Sequence, residues 1–393
     1  MDVSARAMLD LGVILFSSLI GAAIFERMKL PPVIGMILAG IALSPFTPGF
    51  VVESKQEITL FAQLGGVLLM FVLGLQFEYN HVKQLGPNGF FIAGVASVAT
   101  FAAGAGAGWL LGMGFAELLI VGALFVSTST TMALRLMQET GIERLKNAKL
   151  MQAAIVIDDL YGFIVLGLIS GYIGIQSASV AGALISSALM LAAIVFIFFL
   201  GGKITPAVFE FLEEKLPSNA LTLGTAFCLV MVYVMMWFNV SPFIGAFLAG
   251  TILTSSIRHR DVLRSVMPVR NLFASVFFAS VGLLLDPGLL LVAAGTIVAL
   301  SAAAIISKWA AASACLIKFG SDFRDSLRLG LMTCPRGEVL LIIAQNVVLA
   351  GVVQPVFLSI ATGIVLFSAF TPPLVLALLD GKGSTQERRH IAQ

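Results

Sequence analysis

Gln152-Ala-Ala-Ile-Val-Ile-Asp-Asp-Leu-Tyr-Gly-Phe-Ile-Val-Leu-Gly-Leu-Ile169 is apolar enough and long enough to cross a bilayer, yet it carries two adjacent carboxylates, Asp158 and Asp159, near its centre. An aspartate at mid-bilayer costs about 2.5–3.5 kcal/mol on the insertion scale. Two in succession point to an ion or proton site, the usual role of ionisable groups at that depth. Neighbours on a helix point about 100° apart, so one aspartate can meet a partner inside a bundle while the other faces a watery pocket. The competing reading is a helix end dipping into a loop, with Asp-Asp as ordinary capping chemistry. Ile155-Val-Ile157 before the pair and Phe163-Ile-Val-Leu166 after it argue against an end.

Composition agrees with burial in lipid. Of 393 residues 59% are hydrophobic and 11% charged, with a mean hydropathy of +1.03; a soluble globular chain carries about 25% charged residues. The fold class expected is therefore an all-α polytopic membrane protein. No basic tract, aromatic-interleaved groove or zinc spacing points to nucleic acid. Cys228, Cys315 and Cys334 sit in apolar segments without paired spacing, as packing residues do. The N-terminus lacks a basic start and a small-residue cleavage site, so Met8 to Phe25 reads as a retained span and not a signal peptide.

Windows of about 20 apolar residues give thirteen candidate spans, at 8–27, 31–46, 57–77, 88–112, 116–138, 148–172, 177–200, 219–239, 241–256, 266–285, 289–316, 326–349 and 354–379. The Glu-rich amphipathic segment from Lys203 to Lys215 reads as an interfacial connector. Charge placement fits an odd count. With the N-terminus outside, the inside loops collect Arg27, Lys29, Lys83, Arg144, Lys146, Lys149, Lys203, Lys215, Arg258, Arg260, Arg264, Lys318, Arg324, Arg328, Lys382, Arg388 and Arg389. Only Arg6 and Lys55 remain outside, so the topology expected is N-out and C-in.

Pro31-Pro-Val-Ile-Gly-Met-Ile-Leu-Ala-Gly40 matches Ser241-Pro-Phe-Ile-Gly-Ala-Phe-Leu-Ala-Gly250 at Pro, Ile, Gly, Leu, Ala and Gly. The topology makes the first run outward and the second inward, as in the inverted repeats of secondary transporters. Six spans, a linker and six spans is the natural division; composition alone can also make short Gly/Ala-rich helices alike. The same offset lays span 5 over span 12. Span 5 holds Val126-Ser-Thr-Ser-Thr-Thr-Met132 and span 12 holds Met332-Thr-Cys-Pro-Arg-Gly-Glu-Val339. Pro and Gly interrupt helices, and two discontinuous helices crossing at mid-membrane would aim their half-helix ends at one point. The hydroxyls of span 5 have a second reading, bonding to their own carbonyls. Arg336 and Glu338 read as charge partners that can also neutralise broken helix ends. Lys308, deep inside Thr296-Ile-Val-Ala-Leu-Ser-Ala-Ala-Ala-Ile-Ile-Ser-Lys-Trp-Ala-Ala311, cannot snorkel and needs an acidic partner, for which Asp158 or Asp159 is the supply. His81, His259 and His390 fall in inside loops or the tail, where solvated histidines are ordinary, though a pH-sensing role stays open.

Ile157-Asp-Asp159, Ser307-Lys308, Pro335-Arg-Gly-Glu338 and the repeated Pro-x-Ile-Gly-x-x-Leu-Ala-Gly element together resemble the cation:proton antiporter-2 superfamily, in its bacterial sodium/proton branch, over essentially the full chain. The resemblance implies a homodimer of thirteen-span protomers in a prokaryotic inner or plasma membrane, serving pH homeostasis. It implies dimerisation helices at 1–86 and 218–287, transport-core helices at 87–175 and 288–380, a linker and interfacial segment at 176–217, and a cytoplasmic tail at 381–393. It makes Asp159 the principal ion and proton carrier and Asp158 the partner of Lys308, with both aspartates as ligands of Na⁺ or another monovalent cation. Thr128, Ser129 and Thr130 would line the crossing. The core would move as an elevator and exchange two protons per sodium. Potassium-efflux relatives often carry Gln-Asp where this chain has Asp-Asp, and many continue into a soluble nucleotide-binding domain; for a chain that stops at Gln393 the expectation is that such a domain is absent or was removed.

The expected function is thus exchange of a monovalent cation, Na⁺ favoured, for protons, with no cofactor beyond the transported ions and no enzymatic step. Protons and cation would compete for the same carboxylates. Burial disfavours a bare carboxylate and a nearby ammonium favours it, and the balance sets the working pH. Release of the Lys308 proton on cation binding would make turnover electrogenic. A K⁺/H⁺ antiporter of the same superfamily and a sodium-coupled organic-solute symporter or channel on a similar repeat are the alternatives. An intramembrane aspartyl protease needs carboxylates facing each other from separate helices, and these two are adjacent on one.

Overall fold

The computed structural model describes residues 3–28, 30–49, 52–76, 86–175, 220–237, 241–254, 256 and 259–380, and every regular element within them is helical. The span expected at 177–200, the amphipathic segment at 203–215 and the tail at 381–393 lie outside the described residues, as do Lys29, His81, Lys83, Arg258 and His390.

The order is α1 (Val3–Arg27), α2 (Pro32–Ala42), α3 (Lys55–Gln76), α4 (Gly86–Leu110), α5 (Phe115–Val126), α6 (Thr130–Thr140), α7 (Ala148–Ile175), α8 (Ala220–Trp237), α9 (Pro242–Leu253), α10 (His259–Leu283), the single-turn α11 (Pro287–Val292), α12 (Ala294–Lys318), α13 (Phe323–Leu331), α14 (Glu338–Leu349) and α15 (Val356–Asp380). Among the described residues eight helical stretches have the length and apolarity to cross a membrane, and three shorter apolar helices accompany them. The matching sequence elements start alike. Pro32 and Pro242 open α2 and α9, a position where a missing N–H costs nothing and a fixed φ helps. Expected span 10 begins earlier than its apolar window, at His259, and runs through Pro268. Expected span 11 is divided into α11 and α12. Large apolar side chains such as Phe16, Val98, Trp109, Tyr233 and Trp237 point outward, as they do where the solvent is hydrocarbon and rings gather at its edges.

The chain forms two compact units: Met1–Gln84 with Phe163–Val292 and Ile342–Ser359, and Leu85–Gly162 with Ala293–Leu341 and Ile360–Gln393. In the first, α2 packs on α10 and α9 packs on α3. Both contacts are backbone against backbone. A Cβ on Gly282 would stand 2.9 Å from the Gly40 Cα, and one on Gly250 would stand 2.9 Å from the Gly74 carbonyl carbon. Only glycine permits that approach, and close approach is how membrane helices gain packing energy.

The same unit holds a buried acid at its N-terminal edge. Asp10 on α1 is fully buried, and its Oδ2 accepts from the backbone N–H groups of Glu53 (3.0 Å) and Ser54 (2.9 Å), just ahead of α3. Arg6 lies 3.2 Å from Oδ1 through its Nε. Replacing Asp10 with alanine strands both N–H groups and is expected to cost about 2–4 kcal/mol, read as a lower melting temperature in detergent. Asp10→Asn keeps an acceptor and should lose less; an unchanged melt for Asp10→Ala would remove this clamp from the account. In the second unit α5 and α12 pack on α4, and α13 packs on α12, where the Trp309 indole donates to the Leu327 carbonyl at 2.8 Å.

Candidate functional site

Both interruptions expected from the sequence are present, and both lie in the second unit. α5 stops at Val126, Ser127 and Ser129 are extended, and the chain resumes as α6 at Thr130. α13 stops at Leu331 and α14 starts at Glu338. Pro335 in the second link has no N–H to give, and Gly337 passes so near Ser129 that a Cβ there would lie 2.7 Å from the serine oxygen. The links are joined directly. Ser129 N–H donates to the Pro335 carbonyl at 2.7 Å, and the Thr128 hydroxyl donates to the Thr333 carbonyl at 3.0 Å.

Helix ends inside a low-dielectric bundle leave carbonyls without partners and a partial negative charge. Two cations meet them. Arg336, wholly buried, donates to the Ser127 carbonyl at 2.9 Å, the Ala304 carbonyl at 3.0 Å and the Thr333 carbonyl at 3.4 Å. Its own N–H is held by the Ser368 hydroxyl of α15 at 3.0 Å. Lys308 of α12 donates to the Val126 carbonyl, the last of α5. Arg336 thus meets carbonyls at both interruptions and one, that of Ala304, inside α12. The Glu338 side chain, partly buried in the first turn of α14, makes no ion pair or hydrogen bond with any described residue.

The two aspartates of α7 differ sharply. Asp158 is 2% exposed and has both oxygens engaged: Oδ1 accepts from the Ser97 hydroxyl of α4 at 3.0 Å, and Oδ2 accepts from the Lys308 ammonium at 2.5 Å. Asp159 is only partly buried and holds one donor among the described residues, the Thr130 hydroxyl at 2.8 Å on Oδ2. Thr130 is the first residue of α6, so the open carboxylate is tied to the start of a half-helix. The Ser127 and Ser129 hydroxyl oxygens on the adjoining link are buried and have no hydrogen-bond partner among the described residues. The chemistry available is one carboxylate fixed in an ion pair and a second with free lone pairs, beside hydroxyl oxygens in want of a partner. Hard oxygen donors of this kind suit a small cation or a proton.

Sequence reasoning did not single out Ser97 or Ser368. A serine among apolar helix residues carries no signal of its own, because most bond back to their own helix. The backbone carbonyls of Val126, Ser127 and Thr333 have no sequence signature at all.

Known proteins share this arrangement of sequence and fold. A family model described as sodium/hydrogen exchanger, transmembrane, matches residues 14–378. The Na(+)/H(+)-K(+) antiporter GerN of Bacillus cereus is 24% identical, over 93% of this chain and 94% of its own. The Na(+)/H(+) antiporter of Enterococcus hirae is 28% identical over 94% of this chain and 97% of its own. K(+) efflux antiporter 5 of Arabidopsis thaliana is 25% identical over 96% of this chain and 67% of its own. The structure of the sodium proton antiporter MjNhaP1 from Methanocaldococcus jannaschii superposes with a TM-score of 0.71 at 17% identity, covering 96% of this chain and 99% of that one.

Proposed function

The chain belongs to the sodium/hydrogen exchanger family, a family of transporters and not of enzymes, and from that membership we propose that it exchanges a monovalent cation, Na⁺ in preference, for protons through Asp159. The observation that carries the reading is the inequality of two neighbouring carboxylates: Asp158 has its oxygens filled by Ser97 and Lys308, while Asp159 keeps free lone pairs at the junction of two interrupted helices. A proton or a cation neutralises Asp159, and either neutral form crosses hydrocarbon cheaply. The bare anion does not, because its desolvation is unfavourable. Exchange follows and leak is suppressed. Relatives carry names with Na⁺, K⁺ or both, and the Asp-Asp pair favours Na⁺ by the family pattern.

The finer architecture is part of the same proposal. Thirteen spans in two inverted halves are supported by the reciprocal glycine contacts, α2 on α10 and α9 on α3, which pair each copy of the repeated element with the opposite half. The helices at 87–175 and 288–380, which hold the interrupted elements and both aspartates, serve as the moving core of an elevator, and those at 1–86 and 218–287 serve as the scaffold of a homodimer. The protein lies in a prokaryotic inner or plasma membrane with its N-terminus outside and its C-terminus in the cytoplasm, and needs no resident cofactor. Arrival of the cation at Asp159 lets Lys308 give up a proton, its neutral amine still donating to Asp158, and makes turnover electrogenic.

Proteoliposomes loaded with an imposed pH gradient test the reading. Na⁺ and Li⁺ should collapse the gradient when added alone, K⁺ less so, and clamping the membrane potential should change the rate. If no inorganic cation suffices until an organic solute is added, the symporter reading replaces this one.

A further inference from the structure

Ser97 is the contact that family membership does not account for. It stands in α4, 5% exposed, facing an aspartate that is 2% exposed. Thr100, one turn further on, shows what a hydroxyl in this helix ordinarily does: it donates to the carbonyls of Ala96 (2.8 Å) and Ser97 (3.0 Å) of its own helix. The Ser97 hydroxyl instead leaves its helix and donates at 3.0 Å to Oδ1 of Asp158.

We propose that Ser97 is a positioning residue for exchange: with Lys308 on one oxygen of Asp158 and Ser97 on the other, that carboxylate is withheld from the transported cation, which Asp159 alone then receives. The inference rests on the exchange reading above. Its physical content is a comparison of the empty and loaded site. With Ser97 present, Asp158 is satisfied in both. Without the hydroxyl, the empty site holds a buried carboxylate oxygen with no donor, a costly state, and the loaded site offers that oxygen a cation. Loading therefore becomes more favourable and release less so. Among the described residues, the charged or titratable groups that act on Asp158 are Asp159 and Tyr161 on its own helix, Lys308 on α12 and Arg336 on the second link; Glu338 acts on Asp159, and Cys334 on Lys308 and Arg336; α4 itself contributes none.

Ser97→Ala in proteoliposomes should lower the KM for Na⁺, by about tenfold or more for one hydrogen bond to a charged acceptor, without raising the maximal rate. Ser97→Thr keeps the donor and should return KM to the wild-type value. A merely structural role would lower the rate and leave this split unmoved. Ser97→Cys, similar in volume and a feebler donor, should fall between and serves if the alanine variant does not fold. Stabilisation of the purified protein by Na⁺, followed by melting temperature, reads the same affinity without transport. Equal KM and equal Na⁺ stabilisation in Ser97→Ala and wild type overturn the assignment while leaving exchange intact. Failure of the wild type itself to exchange falls on the functional reading instead.

Discussion

Asp159→Asn reduces cation-driven proton movement to the level of protein-free liposomes while the protein still folds. The side chains are nearly isosteric, and the amide oxygen can still accept from the Thr130 hydroxyl that now sits 2.8 Å from Oδ2. No ion pair is broken, since Asp159 makes none with the described residues, and its partly exposed position spares the fold the cost of a buried unpaired amide. What disappears is the charge that a proton and a cation must neutralise in turn. The pH-gradient assay, run beside a melting curve, checks both halves of the expectation. Retained exchange would shift the carrier role to another acid, with Glu338, whose charge acts on Asp159, the first to test.

Lys308→Ala is expected to be the most damaging substitution to stability. The ammonium is 1% exposed and serves Asp158 and the terminal carbonyl of α5 at once. Its removal leaves a buried carboxylate with Ser97 as its remaining donor, and uncompensated buried charge of this kind costs about 3–5 kcal/mol. The check is a double-mutant cycle on thermal unfolding. Lys308→Ala combined with Asp158→Ala deletes the stranded charge together with its partner, so the double variant should melt above the Lys308 single variant. Simple additivity would mean that the pair contributes no coupling, and the division of labour between the two aspartates would have to be redrawn. In transport, Lys308→Ala should alter the dependence of rate on membrane potential, because the proton attributed to the ammonium is no longer there to release.

Much of the site could be read along the chain because charge in hydrocarbon is costly wherever it occurs. Asp158, Asp159, Lys308 and Arg336 stand out against apolar neighbours for that reason alone. Pro335 and Gly337 mark one interruption by the same logic, since a residue without an N–H and one without a side chain cannot continue a helix cheaply. The interruption at Ser127 to Ser129 was less legible, because hydroxyl residues tolerate a continuous helix as well as a broken one. Ser97 was not legible at all: its role depends on which direction its hydroxyl takes, and Thr100 three residues later takes the other.

The amino-acid sequence by itself determined the solvent this protein belongs in, the depth of its acids and bases, and the segment around Pro335 and Gly337 where a helix must fail. Those follow from transfer costs and backbone constraints, which act residue by residue. Only the tertiary structure decided that Lys308 takes Asp158 and leaves Asp159 open, that Arg336 is given to carbonyls and not to Glu338, and that Ser97 closes the second oxygen of Asp158. Asp158 and Lys308 are 150 positions apart, and adjacent carboxylates on one helix cost the same to bury. Which of them is paired depends on the azimuth each presents to α4 and α12, a property of packed helices that no single segment contains.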